Sequence, residues 1–339
     1  MLTKEQHQLI VHLSNYSVAD KRTCLMYLEK SDRERPEYGL RTLKRWGYVT
    51  QRKDELYGIT TKGLSVFGLD KPYITCGGNK DSRQRLARTS RVAALLWQNE
   101  IPGVIQTPKN QNAFIPSQIW RTIRQGITST ARFNGILFLG EKRLVVYHIG
   151  DGNMDWQLFA ERSLFFHNYG KYDDRATGML LICNNGVGPE IADNIIRHTM
   201  YRRKRLLSNP GGDFYETDKP QKYAKSPIRL HDQYSRAFFT EEENIASTLR
   251  YISAEDLLVQ TYAQTMGGAI SGSKNFWDVE DYPRRSIINQ ANDLFKYLYL
   301  FAHIKDSQLK SDIKWSLVIP KRYEPLIEKY RDQIWVITV

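Results

Sequence analysis

Apolar residues in the amino-terminal part of the chain recur every three or four positions, which is the spacing of a helix that buries one face. The inner faces of the first two predicted helices are formed by Leu9, Ile10 and Leu13 and by Cys24, Leu25 and Leu28. Thr3 is predicted to cap the first helix, with Gln6 at the capping-box position. The second helix is predicted to begin at about Val18, so the pattern indicates two helices that pack through these faces.

A third helix is predicted from Pro36, which suits the first turn of a helix because its missing N–H costs nothing there. Gly47 is predicted to end this helix. The inner face is formed by Leu40, Leu43 and Trp46. Arg41, Lys44 and Arg45 point the other way, so the outer face of the helix is predicted to be basic.

A β-hairpin is predicted directly after this helix, with strands at residues 48–52 and 56–60 and a turn at 53–55. A short helix followed at once by a hairpin is typical of the recognition helix and wing of a winged helix. We expect the three outer cations to enter a DNA groove, and Arg52 and Lys53 to hold the wing against the backbone. A winged helix that makes only protein contacts, or a basic face that is merely solvated, would show the same pattern.

Residues 1–70 are therefore predicted to form a winged-helix DNA-binding domain, and residues 71–100 a linker followed by a basic amphipathic helix. The cations of that helix are Arg83, Arg85, Arg88 and Arg91. Its basic half is expected to track a DNA backbone and its apolar half to dock on the following domain. A solvated face on an amphipathic helix is the alternative.

The remaining residues, 101–339, are predicted to form an α/β domain with a mixed sheet, in a chain that is α+β overall. Residues 101–117 are expected to be mainly loops. Strands are predicted at 133–139, 144–149, 179–183, 315–319 and 334–338. Helices are predicted at 155–166, 189–207, 254–264, 286–302 and 323–332, with a long loop at 208–235. The final strand–helix–strand order indicates a parallel pair with a right-handed crossover.

The net charge narrows the class of partner. The chain of 339 residues carries a formal charge of +12 with a pI near 9.4, which favours a polyanionic partner, either nucleic acid or an anionic membrane surface. The apolar runs fall short of the roughly 20 residues that span a bilayer, and the polar start lacks a signal-peptide pattern. We therefore expect a cytoplasmic protein without a membrane partner. The three widely separated cysteines indicate neither a disulfide framework nor a zinc site.

The combination of these elements resembles a known family. A hairpin, a helix and a further strand on an α/β sheet are similar to the core of the restriction-endonuclease-like nucleases. With the winged helix in front, residues 1 to about 205 resemble the replication-relaxation family of plasmids and integrative elements, through the wing sequence and the strands beginning at Phe133 and Leu144. The resemblance implies binding of DNA at replication or transfer origins. In the nucleases it also implies an Asp and a Glu-x-Lys triplet that hold Mg²⁺ and orient water.

At those metal positions the chain departs from the nuclease pattern, because Asn134 replaces the Asp and residues 147–149, Tyr-His-Ile, replace Glu-x-Lys. Asn, Tyr and neutral His cannot supply two anionic oxygens to Mg²⁺. We therefore expect no cofactor, and Mg²⁺ only if the chain is a nuclease after all. Carboxylates that could rebuild a metal site are Glu100, Glu141, Asp151, Asp155 and Glu161.

The hypothesis with most support from the sequence is a double-stranded DNA-binding protein of a mobile element or phage that acts in replication, transfer or transcription control. A second basic cluster, Arg202, Arg203, Lys204 and Arg205, is expected to extend the footprint. The alternatives are a nicking endonuclease that uses a metal or a tyrosine such as Tyr201, and an assembly protein that uses the winged helix for protein contacts. The apolar stretch 294–301 is interpreted as core, because so dense an apolar run exposed on a monomer would aggregate; the seam of a homodimer is the alternative.

Overall fold

The computed structural model describes residues 2–29, 35–103, 112–123, 132–140, 142–150, 178–188, 190, 236–250 and 252–253, together with the backbone of 285–288, 314–319 and 334–338. The chain divides into two compact units, Met1–Phe138 and Leu139–Val339. Within the described residues, no helix is both long and apolar enough to cross a bilayer.

The first unit begins with helix α1, Lys4–Tyr16, and both hydrogen bonds of the predicted capping box between Thr3 and Gln6 are present. The prediction that the second helix begins at about Val18 is wrong, because Val18–Ala19 forms a short strand, β1. Helix α2, Lys21–Leu28, starts only after Asp20, whose carboxylate caps it by accepting a hydrogen bond from the N–H of Thr23. The apolar positions predicted for both inner faces are buried except Leu25, which is half-buried.

The predicted helix and hairpin are present as α3, Pro36–Arg45, β2, Val49–Gln51, and β3, Tyr57–Ile59. Gly47 follows the helix with φ of +77°, a left-handed conformation that favours glycine. Leu40 and Leu43 are buried as predicted, whereas Trp46 is 36% exposed. Trp46 is the C-cap residue, at the end of α3 rather than within its turns, so the prediction that it continues the inner face is wrong.

Strand β1 completes a three-stranded antiparallel sheet in the order β1-β3-β2. Gly58 of β3 is paired with Val18 on one side and with Thr50 on the other. The short helix α4, Thr61–Ser65, follows β3 and is capped by the hydroxyl of Thr60. The first unit therefore runs helix, strand, helix, helix, hairpin, helix within its first 65 residues.

Helix α5, Lys80–Gln98, contacts α1, α2, β1 and the strand β4, Ala113–Pro116, so its apolar face packs largely against the amino-terminal elements. The expectation that this face docks on the following domain therefore holds only for its contact with β4, which lies within residues 101–339. At the centre of this packing, His12 of α1 hydrogen-bonds Ser90 of α5 at 2.7 Å and Tyr27 of α2 at 2.8 Å. The rings of Tyr27 and Trp97 stack beside it with centroids 4.6 Å apart.

The region predicted as loops, 101–117, contains a strand, β4, Ala113–Pro116, and a helix, α6, Ser117–Ile123, begins where this region ends. Strand β4 pairs antiparallel with β5, Gly135–Leu139, and Phe114 and Ile115 are fully buried between their neighbours. The prediction failed because a run of four residues is too short to show a period, and the polar residues before it dominate the composition.

Strands β6, Lys142–Gly150, β7, Gly178–Cys183, and β8, Arg236–Glu241, are parallel neighbours. The sheet that contains them has the order β4-β5-β6-β7-β8. It is mixed, because β4 and β5 run antiparallel. The predicted α/β class with a mixed sheet is confirmed.

The last three described strands, β9, Arg285–Ile288, β10, Lys314–Ile319, and β11, Ile334–Thr338, form a parallel sheet in the order β11-β10-β9. The predicted terminal parallel pair is confirmed. The start of the helix predicted at 286–302 is wrong, because 286–288 belong to β9. The predictions for 155–166, 189–207, 208–235, 254–264, 289–302 and 323–332 lie outside the described residues, apart from Glu190.

Candidate nucleic-acid interface

One side of helix α3 is basic and open to solvent. Arg41, Lys44 and Arg45 are all exposed, as the sequence predicted, while Leu40 and Leu43 on the other side are buried. Pro36 at the first turn and Gly47 after the last turn fix the two ends of this helix. The three cations are therefore displayed on a segment whose orientation is set by core packing.

Two contacts restrict the cations of α3 without burying them. The Nε–H of Arg41 donates to the carbonyl oxygen of Glu37 one turn earlier, at 3.4 Å. The ammonium group of Lys44 donates to Oε1 of Gln51 on β2, at 3.0 Å. The second contact joins the helix to the hairpin, so the basic surface continues from one element to the other.

The hairpin presents the second pair of predicted cations, since Arg52 and Lys53 are both exposed. Its turn is closed by two backbone hydrogen bonds, from the N–H of Arg52 to Leu56 at 2.8 Å and from the N–H of Glu55 to Arg52 at 3.1 Å. The side chain of Arg52 folds back over Gly58, where a Cβ atom would lie 2.8 Å from its Nε. A larger residue at Gly58 would therefore displace this cation.

The base of the hairpin is fixed to the end of α3. The hydroxyl of Thr60 lies 2.6 Å from the carbonyl oxygen of Gly47 and 3.0 Å from that of Tyr48. Lys62 donates to the carbonyl oxygen of Trp46 at 2.8 Å, and its ammonium group lies 4.9 Å from the centre of the Tyr48 ring. These contacts give helix and hairpin a defined relative position.

Helix α5 holds the remaining described candidates in three different environments. Arg85 and Arg88 are exposed, so both are accessible to a partner. Arg83 instead forms an ion pair with Asp54 in the hairpin turn, at 2.5 Å. Arg91 is buried and pairs with Asp20 at 3.3 Å. Arg83 and Arg91 therefore neutralise carboxylates within the protein, which the sequence pattern did not indicate.

The ion pair also changes the acidity of Asp54. The hydrogen bond from Arg83 is the largest influence and lowers the pKa of the Asp54 carboxyl; burial opposes this effect. The carboxylate is therefore charged and matched by one guanidinium at neutral pH.

Sequence reasoning missed two residues of this surface, Tyr38 and Gln51. Tyr38 is 51% exposed on α3, three positions before Arg41 and seven before Arg45, so its spacing alone could have placed it on the basic face. Gln51 was not considered because an uncharged residue in a strand carries no electrostatic signal. The basic cluster Arg202, Arg203, Lys204 and Arg205, together with Tyr201, lies outside the described residues.

The positions compared with the nuclease metal site are engaged in contacts within the protein. Asn134 is buried and its amide donates to the hydroxyl of Thr89 at 3.3 Å. His148 is buried on β6 and its Nε2 lies 2.8 Å from Oε1 of Glu242, a carboxylate that sequence reasoning did not single out.

Among the residues that the structure describes, no three His, Cys, Asp or Glu side chains converge as metal ligands would. Glu100 is exposed, with φ of +63°. Glu141, Asp151, Asp155 and Glu161 lie outside the described part of the chain.

Comparison of the chain with protein-family models, curated proteins and solved structures gives no match. The resemblance to the replication-relaxation family therefore stays an expectation from the sequence.

Proposed function

We propose that this protein binds double-stranded DNA through helix α3 and the β2–β3 hairpin, which together act as the recognition helix and wing of a winged helix. The observation that carries the proposal is the exposure of Arg41, Lys44 and Arg45 on one side of a helix whose other side is buried. A duplex carries closely spaced phosphates, and cations that neutralise them release counterions and so increase affinity.

The charge of this segment supports the proposal. Residues 35–62 contain seven Lys or Arg and three Asp or Glu, and one of those acids, Asp54, is already paired with Arg83. Helix and hairpin are also held together by the contacts of Lys44, Thr60 and Lys62. A surface that is both basic and fixed in shape loses little conformational entropy when a duplex binds.

The order of elements supports the same assignment. Three helices and a three-stranded antiparallel sheet, with the third helix followed by a hairpin, are the parts a winged helix requires. In that arrangement the third helix enters the major groove and the hairpin lies along the adjacent backbone. Arg41, Lys44 and Arg45 then meet the groove, and Arg52 and Lys53 meet phosphates.

A comparison of two triple variants tests the proposal. Arg41, Lys44 and Arg45 are replaced together by Gln in the full chain. In a matched control, three exposed lysines on other elements, Lys4, Lys21 and Lys71, are replaced by Gln, so both variants lose the same charge. Affinity is measured by fluorescence anisotropy with a mixed-sequence duplex of about 30 base pairs, three helical turns.

We expect the first variant to bind at least about 20-fold more weakly than the unmodified chain and the control to change by less than about threefold. Equal losses in the two variants would mean that net charge alone, and not this surface, attracts DNA. Circular dichroism melting curves check that both variants are folded.

A second candidate function is protein binding through the same surface. It is favoured by two aromatic side chains on α3, since Tyr38 is 51% and Trp46 is 36% exposed, and aromatic residues are enriched at protein interfaces. Under this function, Tyr38→Ala would abolish binding to a protein partner, and affinity for duplex DNA would be weak and insensitive to salt.

We further propose that the α/β domain at residues 101–339 supports binding rather than cleavage of DNA. This is supported by Asn134 and His148, which stand at the compared metal positions and bond to Thr89 and Glu242. A supercoiled plasmid incubated with Mg²⁺ or Mn²⁺ should stay intact. Nicking that is lost on substitution of a carboxylate in this domain would instead establish the endonuclease function. Action in the cytoplasm on origins of plasmids, integrative elements or phages is the proposed context, and it rests on the sequence resemblance.

A further inference from the structure

We propose that Arg83 is a positioning residue for DNA binding, which holds the hairpin turn in place through Asp54 and does not itself contact DNA. This proposal rests on the proposed function of the helix and hairpin. We call the Arg83–Asp54 ion pair the hairpin clamp.

The geometry of the turn supports the clamp. Lys53 and Glu55 point to solvent, whereas the side chain of Asp54 between them is turned inward and is only 7% exposed. It meets the Nε of Arg83 at 2.5 Å. Arg83 also donates through Nη1 to the carbonyl oxygen of Gly78, at 2.6 Å. The guanidinium therefore ties the hairpin turn to the segment that leads into α5.

Arg83 is the largest favourable influence on this carboxylate, ahead of the backbone N–H groups of Asp54 and Leu56. The second oxygen of the carboxylate, Oδ1, is buried and has no hydrogen-bond partner among the described residues. A buried carboxylate without a partner is strongly unfavourable. If Arg83 is removed, Asp54 loses its charged partner while Oδ1 stays unpaired, so movement of the turn that brings the carboxylate to water is favoured.

That movement has two consequences for a bound duplex. Lys53, the neighbour of Asp54 in the turn, loses its fixed position beside the DNA backbone. The carboxylate of Asp54, no longer neutralised, becomes exposed on the surface that faces phosphates. Both effects weaken binding, and both act through Asp54.

A direct phosphate contact by Arg83 would behave differently. Its loss would be independent of Asp54 and of Lys53, and the effects of double substitutions would be additive. It would also lower the slope of log affinity against log salt concentration by about one, whatever residue stands at position 54.

The test measures duplex affinity of the full chain for five variants: Arg83→Gln, Asp54→Asn, Lys53→Gln, and the double variants Arg83→Gln/Asp54→Asn and Arg83→Gln/Lys53→Gln. We expect Arg83→Gln to weaken binding about fivefold to tenfold. Adding Asp54→Asn should restore affinity to within about threefold of that of the unmodified chain, and should also restore the salt slope of the unmodified chain. The roughly threefold cost expected for Lys53→Gln should disappear when Arg83 is already replaced.

Arg85→Gln is the matched control, because Arg85 is an exposed cation two positions further along the same helix. The loss of duplex affinity caused by Arg85→Gln, whatever its size, should be additive with the effect of Asp54→Asn. Melting curves establish that each variant is folded at the assay temperature, and Arg83→Lys supplies a second variant that keeps the charge and should retain most of the affinity.

The clamp is overturned if Asp54→Asn fails to rescue Arg83→Gln, or if Lys53→Gln costs the same with and without Arg83. An unmodified chain that shows no salt-dependent duplex binding would overturn the proposed function as well. Failure of the clamp alone is recognised by normal binding of the unmodified chain together with additive double variants.

Discussion

Lys44 on helix α3 and Gln51 on strand β2 are joined by a hydrogen bond of 3.0 Å between the ammonium group and Oε1 of the amide. The bond uses neither the N–H₂ of Gln51 nor the other two ammonium hydrogens of Lys44, and both side chains are exposed. Helix and hairpin therefore present one continuous donor-rich surface, suited to phosphate oxygens and to the O6 and N7 acceptors of guanine.

Gln51→Leu tests whether the Lys44–Gln51 hydrogen bond contributes to DNA affinity by positioning Lys44. The substitution removes no charge, so we expect affinity for a duplex to fall about threefold while the salt slope stays the same. Lys44→Gln should weaken binding further and lower the slope by about 0.9. Anisotropy titrations at several KCl concentrations measure both quantities. A change of slope for Gln51→Leu equal to that for Lys44→Gln would refute the positional role.

His12 predicts how the protein responds to acid. Burial lowers the pKa of His12 from 6.5 to about 3, and the ring is held between Ser90 and Tyr27. As the pH falls, the His12 ring is protonated at a higher pH in the unfolded chain than in the folded chain. The contribution of the buried neutral ring to stability is therefore complete above pH 6.5 and decreases as the pH falls toward 3. By pH 4.5 the loss should be about 2–3 kcal/mol, measured by urea unfolding.

His12→Phe is the informative variant for this prediction. It should be less stable at pH 7, because two hydroxyls lose their partner, but its stability should vary less between pH 6.5 and 4.5. His7, which is exposed, supplies the control: His7→Gln should keep the pH dependence of the unmodified chain. If His12→Phe keeps it too, groups other than His12 cause the acid sensitivity.

Gly47 sets the exit from α3 into the hairpin. Its φ of +77° is unfavourable for any residue with a Cβ atom, so Gly47→Ala should lower the free energy of unfolding by about 1–2 kcal/mol. Gly78→Ala is the control, because a Cβ atom there meets nothing within 4 Å. Urea unfolding of both variants checks the prediction, which fails if the two substitutions cost the same.

Arg88 and Arg91 lie three positions apart on α5 and should respond in opposite ways. Arg91 is buried and paired with Asp20, so Arg91→Gln should destabilise the fold by about 3 kcal/mol. Arg88 is exposed, so Arg88→Gln should change stability by less than about 0.5 kcal/mol and weaken DNA binding instead. Comparable stability losses in both variants would contradict this division of the helix.

Elements bounded by residues with a strong backbone preference could be predicted from sequence. Pro36 and Gly47 delimit α3, and Thr3 with Gln6 opens α1, and in each case the observed bounds agree closely with the prediction. Short elements could not be predicted in this way. Two residues of β1 and four of β4 are too few to show a period, and they form because neighbouring strands offer hydrogen bonds.

The least predictable feature was which Lys and Arg side chains are exposed and which form ion pairs within the protein. Arg83 and Arg91 share a helix and a spacing with Arg85 and Arg88, and only the fold decides which of them pair internally. Their partners lie 29 residues away, at Asp54, and 71 residues away, at Asp20. Contacts at such separations leave no local pattern, so a basic stripe in the sequence overstates the charge available to a partner.

The salt dependence of duplex binding tests the central claim most directly. We predict that log affinity of the full chain falls linearly with log KCl concentration between about 50 and 200 mM, with a slope of about −4 or steeper. The slope should decrease in magnitude by two to three, roughly 0.9 for each lost phosphate contact, when Arg41, Lys44 and Arg45 are replaced by Gln. A slope near zero for the unmodified chain, or one that the triple substitution leaves unchanged, would contradict the assignment of α3 and the hairpin as the DNA-binding surface.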